Sequence, residues 1–122
     1  MGTLDMRLSH DLIASDKVVG TYVYDRTGNH IGSIEKIILE KRGGRVAYAV
    51  LSFGGLLGIG DDHFPLPWDV LDYNPGLGGF QVSITKDQLE GAPRYPRDQD
   101  FDWSAERGRQ VYDYYGIAPY WV

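Results

Sequence analysis

Three histidines, two acidic clusters and one glycine-rich loop are the features of this sequence with types and spacing that suggest chemistry. Asp61, Asp62 and His63 carry donors suited to a divalent metal. Three consecutive residues of an extended chain point alternately to opposite faces, however, so these converge poorly. Asp98, Asp100 and Asp102 echo the opening of a calcium loop, yet Trp103 stands where glycine is required and Arg109 where a bidentate glutamate belongs. A solvated acidic stretch that helps to cap a helix is the expected role. The run Gly54-Gly55-Leu56-Leu57-Gly58-Ile59-Gly60 has glycines that would let backbone amides approach a phosphate, but its spacing fits neither standard motif, and Asp61-Asp62 would repel an anion. His10, His30 and His63 are widely separated, and no serine or carboxylate partner forms a nucleophile motif with them. There is no cysteine, which removes disulfides, thiolate metal sites and thiol nucleophiles. The expectation is a protein without catalytic residues, cofactor or metal.

Residues suited to protein contact are easier to find. Leu56, Leu57 and Ile59 are apolar side chains in a loop, where they either form a contact tip or fold back over the end of the sheet. Eight of the sixteen aromatic residues lie in the last thirty positions: Tyr95, Phe101, Trp103, Tyr112, Tyr114, Tyr115, Tyr120 and Trp121. Together with Arg107 and Arg109 they have the composition of a protein interface, and also of a nucleic-acid stacking surface diluted by Glu106 and Asp113. Leu56, Leu57, Ile59, Trp103, Tyr112, Tyr114, Tyr115 and Trp121 are therefore the candidate partner-binding residues. Trp68, between Pro67 and Asp69, reads as packing at a strand bend, because an indole buries so much area.

The elements that must position these residues are mostly strands. Val18 to Asp25 is β-branched and aromatic and ends at Arg26-Thr27-Gly28-Asn29, a turn. Ile31 to Lys41 reads as a bulged strand closed by Gly43-Gly44, although Ile31, Ile34 and Ile38 also fit helical spacing. Arg45 to Phe53 is apolar on both faces, Ala47, Ala49, Leu51 and Phe53 on one and Val46, Tyr48 and Val50 on the other, so both should be covered. His63 to Leu66 and Val70 to Tyr73 are short runs joined through Pro67-Trp68. Phe80, Val82 and Ile84 alternate with Gln81 and Ser83 as a half-buried strand does. Thr85 and Gln88 form a capping-box pair with Ile84 and Leu89 at staple positions, so one short helix follows, stopped by Gly91 and Pro93. Ser104 or Asp102 would cap a second helix reaching Tyr115, with Gly116 as its terminator.

The 122 residues fit one core, and a hydrophobic fraction of 43% with 16 Gly and 6 Pro describes a turn-rich globular chain. A net charge of -5 argues against general nucleic-acid binding, although a local basic patch is compatible with it. Met1 to Asp16 is charged throughout and has no apolar core of the secretory kind, and no run is long enough to span a bilayer. A cytoplasmic protein without membrane insertion is expected.

Three stretches resemble the PRC-barrel family, which is shared by the photosynthetic reaction-centre H subunit and the ribosome-maturation factor RimM. They are Gly20 through Asp25-Arg26-Thr27-Gly28 to Ile31-Gly32-Ser33-Ile34, then Ala49-Val50-Leu51-Ser52-Phe53-Gly54-Gly55, and then Pro65-Leu66-Pro67-Trp68. The resemblance implies a mainly β chain, a small barrel of six strands with one short helix. It implies no active site, and a role in contacting other proteins. The expected organisation is an N-terminal arm over 1–11, a PRC-barrel domain over 12–92 and an aromatic, partly helical C-terminal extension over 93–122. A stand-alone, self-associating interaction module, with a homodimer as its simplest form, is the expected function. An RNA- or ribosome-associated factor is the alternative by analogy with RimM.

Overall fold

The computed structural model describes residues 12–55 and 57–120. The N-terminal arm, Leu56 and Trp121 lie outside the described residues. Among the described residues six strands form one sheet: β1 (Tyr22–Tyr24), β2 (His30–Leu39), β3 (Val46–Ser52), β4 (Phe64–Pro67), β5 (Asp72–Asn74) and β6 (Gly79–Gln81). Their order across the sheet is β4-β3-β2-β1-β6-β5, with β1 and β6 parallel and every other pair antiparallel. Among the described residues the helices are α1 (Ser15–Val18), α2 (Lys86–Glu90) and α3 (Ala105–Tyr114), and a 3-10 turn covers Trp68–Val70.

The two edge strands are consecutive in the chain. Only residues 68–71 separate the end of β4 from the start of β5, a link that reaches about 17 Å even if fully extended. Six strands laid flat at their usual spacing would put the two edges about 24 Å apart. The sheet must therefore curl, and it does so without β4 and β5 pairing with one another among the described residues.

β2 is the bulged strand expected from the sequence: its register against β3 slips between Ile34 and Lys36 and again between Ile38 and Leu39. Those slips explain why the isoleucine spacing imitates a helix, since each added residue breaks the two-residue alternation. Gly32 in β2 is required by contact. A Cβ there would lie 2.4 Å from the Ser52 carbonyl oxygen and 2.8 Å from the Phe53 ring. β3 is buried on both faces as expected. Ala49, Leu51 and Phe53 enter a core with Val23, Ile34, Phe64 and Val82, while Ala47, Tyr48 and Val50 enter a second core with Tyr95, Phe101, Val111 and Tyr112. Ala47 thus departs from the face assigned by simple alternation and joins the core on the other side.

Several expected boundaries are corrected. The strand expected over Val18 to Asp25 begins only at Tyr22, because Ser15–Val18 is helical and the Thr21 hydroxyl donates to the Lys17 carbonyl at 2.6 Å. The positive φ of Gly20 then turns the chain into β1, and its amide donates to Ile34 at 2.7 Å. The run Val70 to Tyr73 splits because Leu71 N–H donates to the Trp68 carbonyl, closing a 3-10 turn and delaying the strand to Asp72. His63 precedes β4 and pairs with Tyr95 in an isolated antiparallel bridge. The alternating run at 80–84 is a strand only over Gly79–Gln81, since β1 offers just three residues to pair with. Val82 still donates to the Tyr24 carbonyl and is fully buried, so the alternation reported burial correctly beyond the end of the strand.

The capping signals hold in detail. Thr85 Oγ1 accepts from the Gln88 amide and the Gln88 side chain accepts from the Thr85 amide. Leu89 is fully buried, with Ile84 packed against the same core. Ser104 caps α3 by accepting from the Arg107 amide at 3.3 Å, and Asp102 accepts from the Ser104 amide at 3.0 Å. Past the end of α3, Gly116 takes a φ of 71°.

Candidate interaction surface

The turn between β1 and β2 owes its shape to Asp25. Its carboxylate accepts from the Thr27 hydroxyl at 2.7 Å, the Asn29 amide at 2.9 Å and the Thr27 amide at 3.0 Å. These donors, the Thr27 hydroxyl first, hold its pKa below the usual carboxylate range. Asp25-Arg26-Thr27-Gly28 is thus a structural signature, and Arg26 leaves the turn to pair with Asp72 and to donate to Ser83.

The C-terminal segment lies on the face of the sheet opposite the first core. Phe101, Trp103 and Tyr95 form a connected ring cluster, with Trp103 5.1 Å from Tyr48 and Tyr48 edge-on to Tyr112 at 5.5 Å. Tyr112 is 3% exposed, and its hydroxyl donates to the Ala47 carbonyl at 2.6 Å. Burial raises the pKa of the Tyr48 phenol to about 12, aided by Tyr120, and raises those of Tyr112 and Tyr115 as well. Tyr114 is 38% exposed, and its hydroxyl donates to the Gln88 carbonyl, tying α3 to α2. Tyr115 is half-buried between the two cores.

The candidate residues from the sequence therefore fall into three groups. Trp103, Tyr112 and Tyr115 pack on the chain's own sheet, and Tyr114 is partly exposed. Leu57 and Ile59 are partly buried against the first core, so their loop folds back on the sheet. Leu56 and Trp121 lie outside the described residues. Trp68 packs edge-on to Phe80 at 5.4 Å, the structural role its sequence context suggested.

The acidic clusters are placed as follows. Asp61 meets Arg97 at 3.5 Å, while His63 is held by its backbone bridge to Tyr95, with its Nδ1 buried and unpartnered among the described residues. These residues line a cleft of about 390 Å³ with Glu35 and Ser52, whose hydroxyl donates to Glu35 at 2.6 Å. Among the described residues no group of three or more His, Asp or Glu is placed to hold a metal ion.

A second cleft, of about 280 Å³, separates the β2–β3 hairpin from the start of α3. Leu39 and Tyr48 line one side, and Trp103, Ala105 and Tyr120 the other. Leu39 is 48% exposed. The hairpin is closed by Glu40 N–H donating to Arg45 and Gly44 N–H donating to Glu40, which sets Lys41 and Arg42 at an exposed tip. Arg45 stacks 3.7 Å over the Tyr120 ring, and burial followed by the negative charge of Glu40 raises the Tyr120 pKa. Leu39, Lys41, Arg42 and Tyr120 were not among the sequence candidates. The adjacency of Lys41-Arg42 to Gly43-Gly44 was their one local signal, because it sets a basic pair at the tip of a turn.

Among the described residues no helix is long and apolar enough to cross a membrane. An uncharacterized protein of Deinococcus radiodurans is 28% identical over 109 residues, covering 84% of this chain and 39% of that protein. The chain thus spans about two-fifths of that relative's length. A family model described as the PRC-barrel domain matches residues 10–89, the region that supplies all six strands and most of α2. The chain belongs to the PRC-barrel domain family.

Proposed function

We propose that this protein is a non-enzymatic protein-interaction or assembly module of the cytoplasm. Its curled six-stranded sheet acts as a PRC-type barrel over 12–92, and the 93–122 extension forms an outer layer on it. The observation that carries this reading is the display of large apolar side chains on a well-packed framework: Leu39, Tyr22, Tyr73 and Tyr114 are 48%, 52%, 51% and 38% exposed. Tyrosines suit this use because they present rigid amphipathic area at small entropic cost. The Tyr22 ring is already held by stacking on His30 at 3.9 Å. Self-association is the simplest form of the activity.

Affinity capture from native extract with the full chain, with and without nuclease, tests the proposal. Protein partners, or the chain itself, should be retained after nuclease, and Tyr22→Ala or Leu39→Ala should deplete them. A second reading, RNA or ribosome association, draws on the Lys41-Arg42 tip. It takes first place if ribosomal components are recovered and nuclease removes them.

A further inference from the structure

A third cleft, of about 350 Å³, opens between the β1–β2 turn and the start of α2. Its floor is apolar: Ile31 and Val82 are buried, and Leu57 and Ile84 pack against the same core. Its rim is polar, with Asp25, Arg26 and Thr27 from the turn and Ser83, Thr85 and Lys86 from the chain entering α2. An apolar floor with a few converging polar groups, at the lower end of the usual volume range, is the build of a small-molecule site. The hairpin cleft has Glu40 as its charged lining residue, and the cleft beside His63 sets Glu35, Asp61 and Asp98 against Arg97. In neither does the lining hold a lysine or arginine outside an ion pair.

The hydrogen bonding of the rim decides which ligand fits. Each of its side-chain acceptors already receives a donor. The Asp25 carboxylate takes the Thr27 amide and hydroxyl and the Asn29 amide and side chain, at 2.7–3.4 Å. Thr27 Oγ1 accepts from the Asn29 side chain at 2.9 Å, Ser83 Oγ from Arg26 Nε at 2.6 Å and Thr85 Oγ1 from the Gln88 amide at 3.1 Å. Donors, by contrast, are left over. Arg26 bonds to Asp72 and Ser83 through two of its N–H groups and keeps the others. Lys86 is exposed and forms no ion pair among the described residues. Its ammonium lies against the glycine loop, 3.9 Å from where a Cβ on Gly58 would stand, next in the chain to Leu57 of the floor.

A ligand that accepts hydrogen bonds, carries one negative charge and has a short apolar chain matches this set. A cation would meet Lys86 and Arg26. A dianion such as phosphate would meet Asp25, which the donors of its own turn hold ionised, and would leave the apolar floor uncovered. We propose that this cleft binds a small organic monocarboxylate, its carboxylate on Lys86 and Arg26 and its alkyl chain on Ile31, Leu57, Val82 and Ile84. None of these residues carries the interaction-module reading, so the two stand or fall separately.

Titration of the full chain with hexanoate, followed by isothermal calorimetry and by amide chemical shifts, tests the proposal. Saturable binding with a dissociation constant of about 1 mM or below is expected. The shifts should centre on residues 25–27, 57 and 82–86. Acetate, which lacks the chain, and hexanol, which lacks the charge, should each bind at least about tenfold more weakly, and hexylammonium should not bind. Lys86→Gln should weaken hexanoate about tenfold and leave hexanol unchanged, while Lys86→Arg should restore most of the affinity. Lys86 is exposed and outside any ion pair among the described residues, so circular dichroism should show both variants folded. No saturable hexanoate binding, shifts centred elsewhere, equal affinity for acetate or hexanol, or a Lys86→Gln variant that binds hexanoate as the wild type does would each overturn the proposal.

Discussion

The hydroxyl of Tyr112 joins α3 to the edge of β3 by donating to the Ala47 carbonyl across 65 residues of sequence. Tyr112→Phe keeps the ring and leaves that carbonyl without its partner, so equilibrium urea unfolding should show a loss of about 1–2 kcal/mol with an unchanged slope. The buried phenols also predict a pH dependence. Burial raises the pKa of Tyr48 to about 12 from an ordinary value of 10.0. The neutral form is thus favoured in the folded state, and Tyr112 and Tyr115 shift in the same direction. The stability they contribute is complete below pH 10 and is lost as pH rises from there through 12. Tyrosinate absorbance should accordingly show the buried phenols of Tyr48, Tyr112 and Tyr115 ionising well above pH 10, as the chain unfolds. Ionisation of these three phenols at the ordinary value would contradict their buried placement.

Among the elements, β2 and β3 carry the fold, and their close approach depends on Gly32. Alanine there meets the Ser52 backbone at 2.4 Å, which a side-chain adjustment cannot relieve. Gly32→Ala should cost about 1–3 kcal/mol in thermal or chemical unfolding. Gly44→Ala would probe strain alone, since its φ is 73° but no atom lies within 4 Å of an added Cβ. β4 shows how an edge is kept from pairing further. Pro65 and Pro67 remove two donors, and the His63 to Tyr95 bridge occupies the start of the strand.

In the whole molecule, the C-terminal segment is a structural layer. Ending the chain at Pro93 would uncover Ala47, Tyr48 and Val50 and remove the Tyr95 bridge. Each large apolar side chain returned to water is worth roughly 1.5–3 kcal/mol, comparable in sum to the whole stability of a small domain. The truncated chain should bind a hydrophobic dye and lose its cooperative thermal transition. A sharp transition with no dye binding would mean that the sheet stands alone. The same layer divides the outer surface. It covers the half built on β3 and β4 and leaves Tyr22 and His30 on the other half open to solvent.

Local chemistry was legible in the sequence wherever the deciding atoms lie within a few residues. The Thr85 and Gln88 box and the Ser104 cap depend on side chains bonding to nearby amides, and the Gly116 terminator and the turn at Arg26-Thr27-Gly28-Asn29 on a glycine at positive φ, so local sequence alone determines them. The two apolar faces of β3 likewise required two covering layers. What covers the second face was not legible, because Tyr112 meeting Ala47 and Trp103 meeting Tyr48 depend on where the chain returns in space. Strand starts failed at Val18 and Val70, where a helix and a 3-10 turn take up the backbone bonds, and the strand end failed at Ile84 for want of a partner. Pairing stops where the neighbouring strand stops, and β1 offers only three residues. The two walls of the hairpin cleft, Leu39 with Tyr48 and Trp103 with Ala105, are more than fifty residues apart in sequence. Only tertiary structure could bring them together, since no sequence period fixes where a distant segment returns, whereas local geometry fixes caps and alternation.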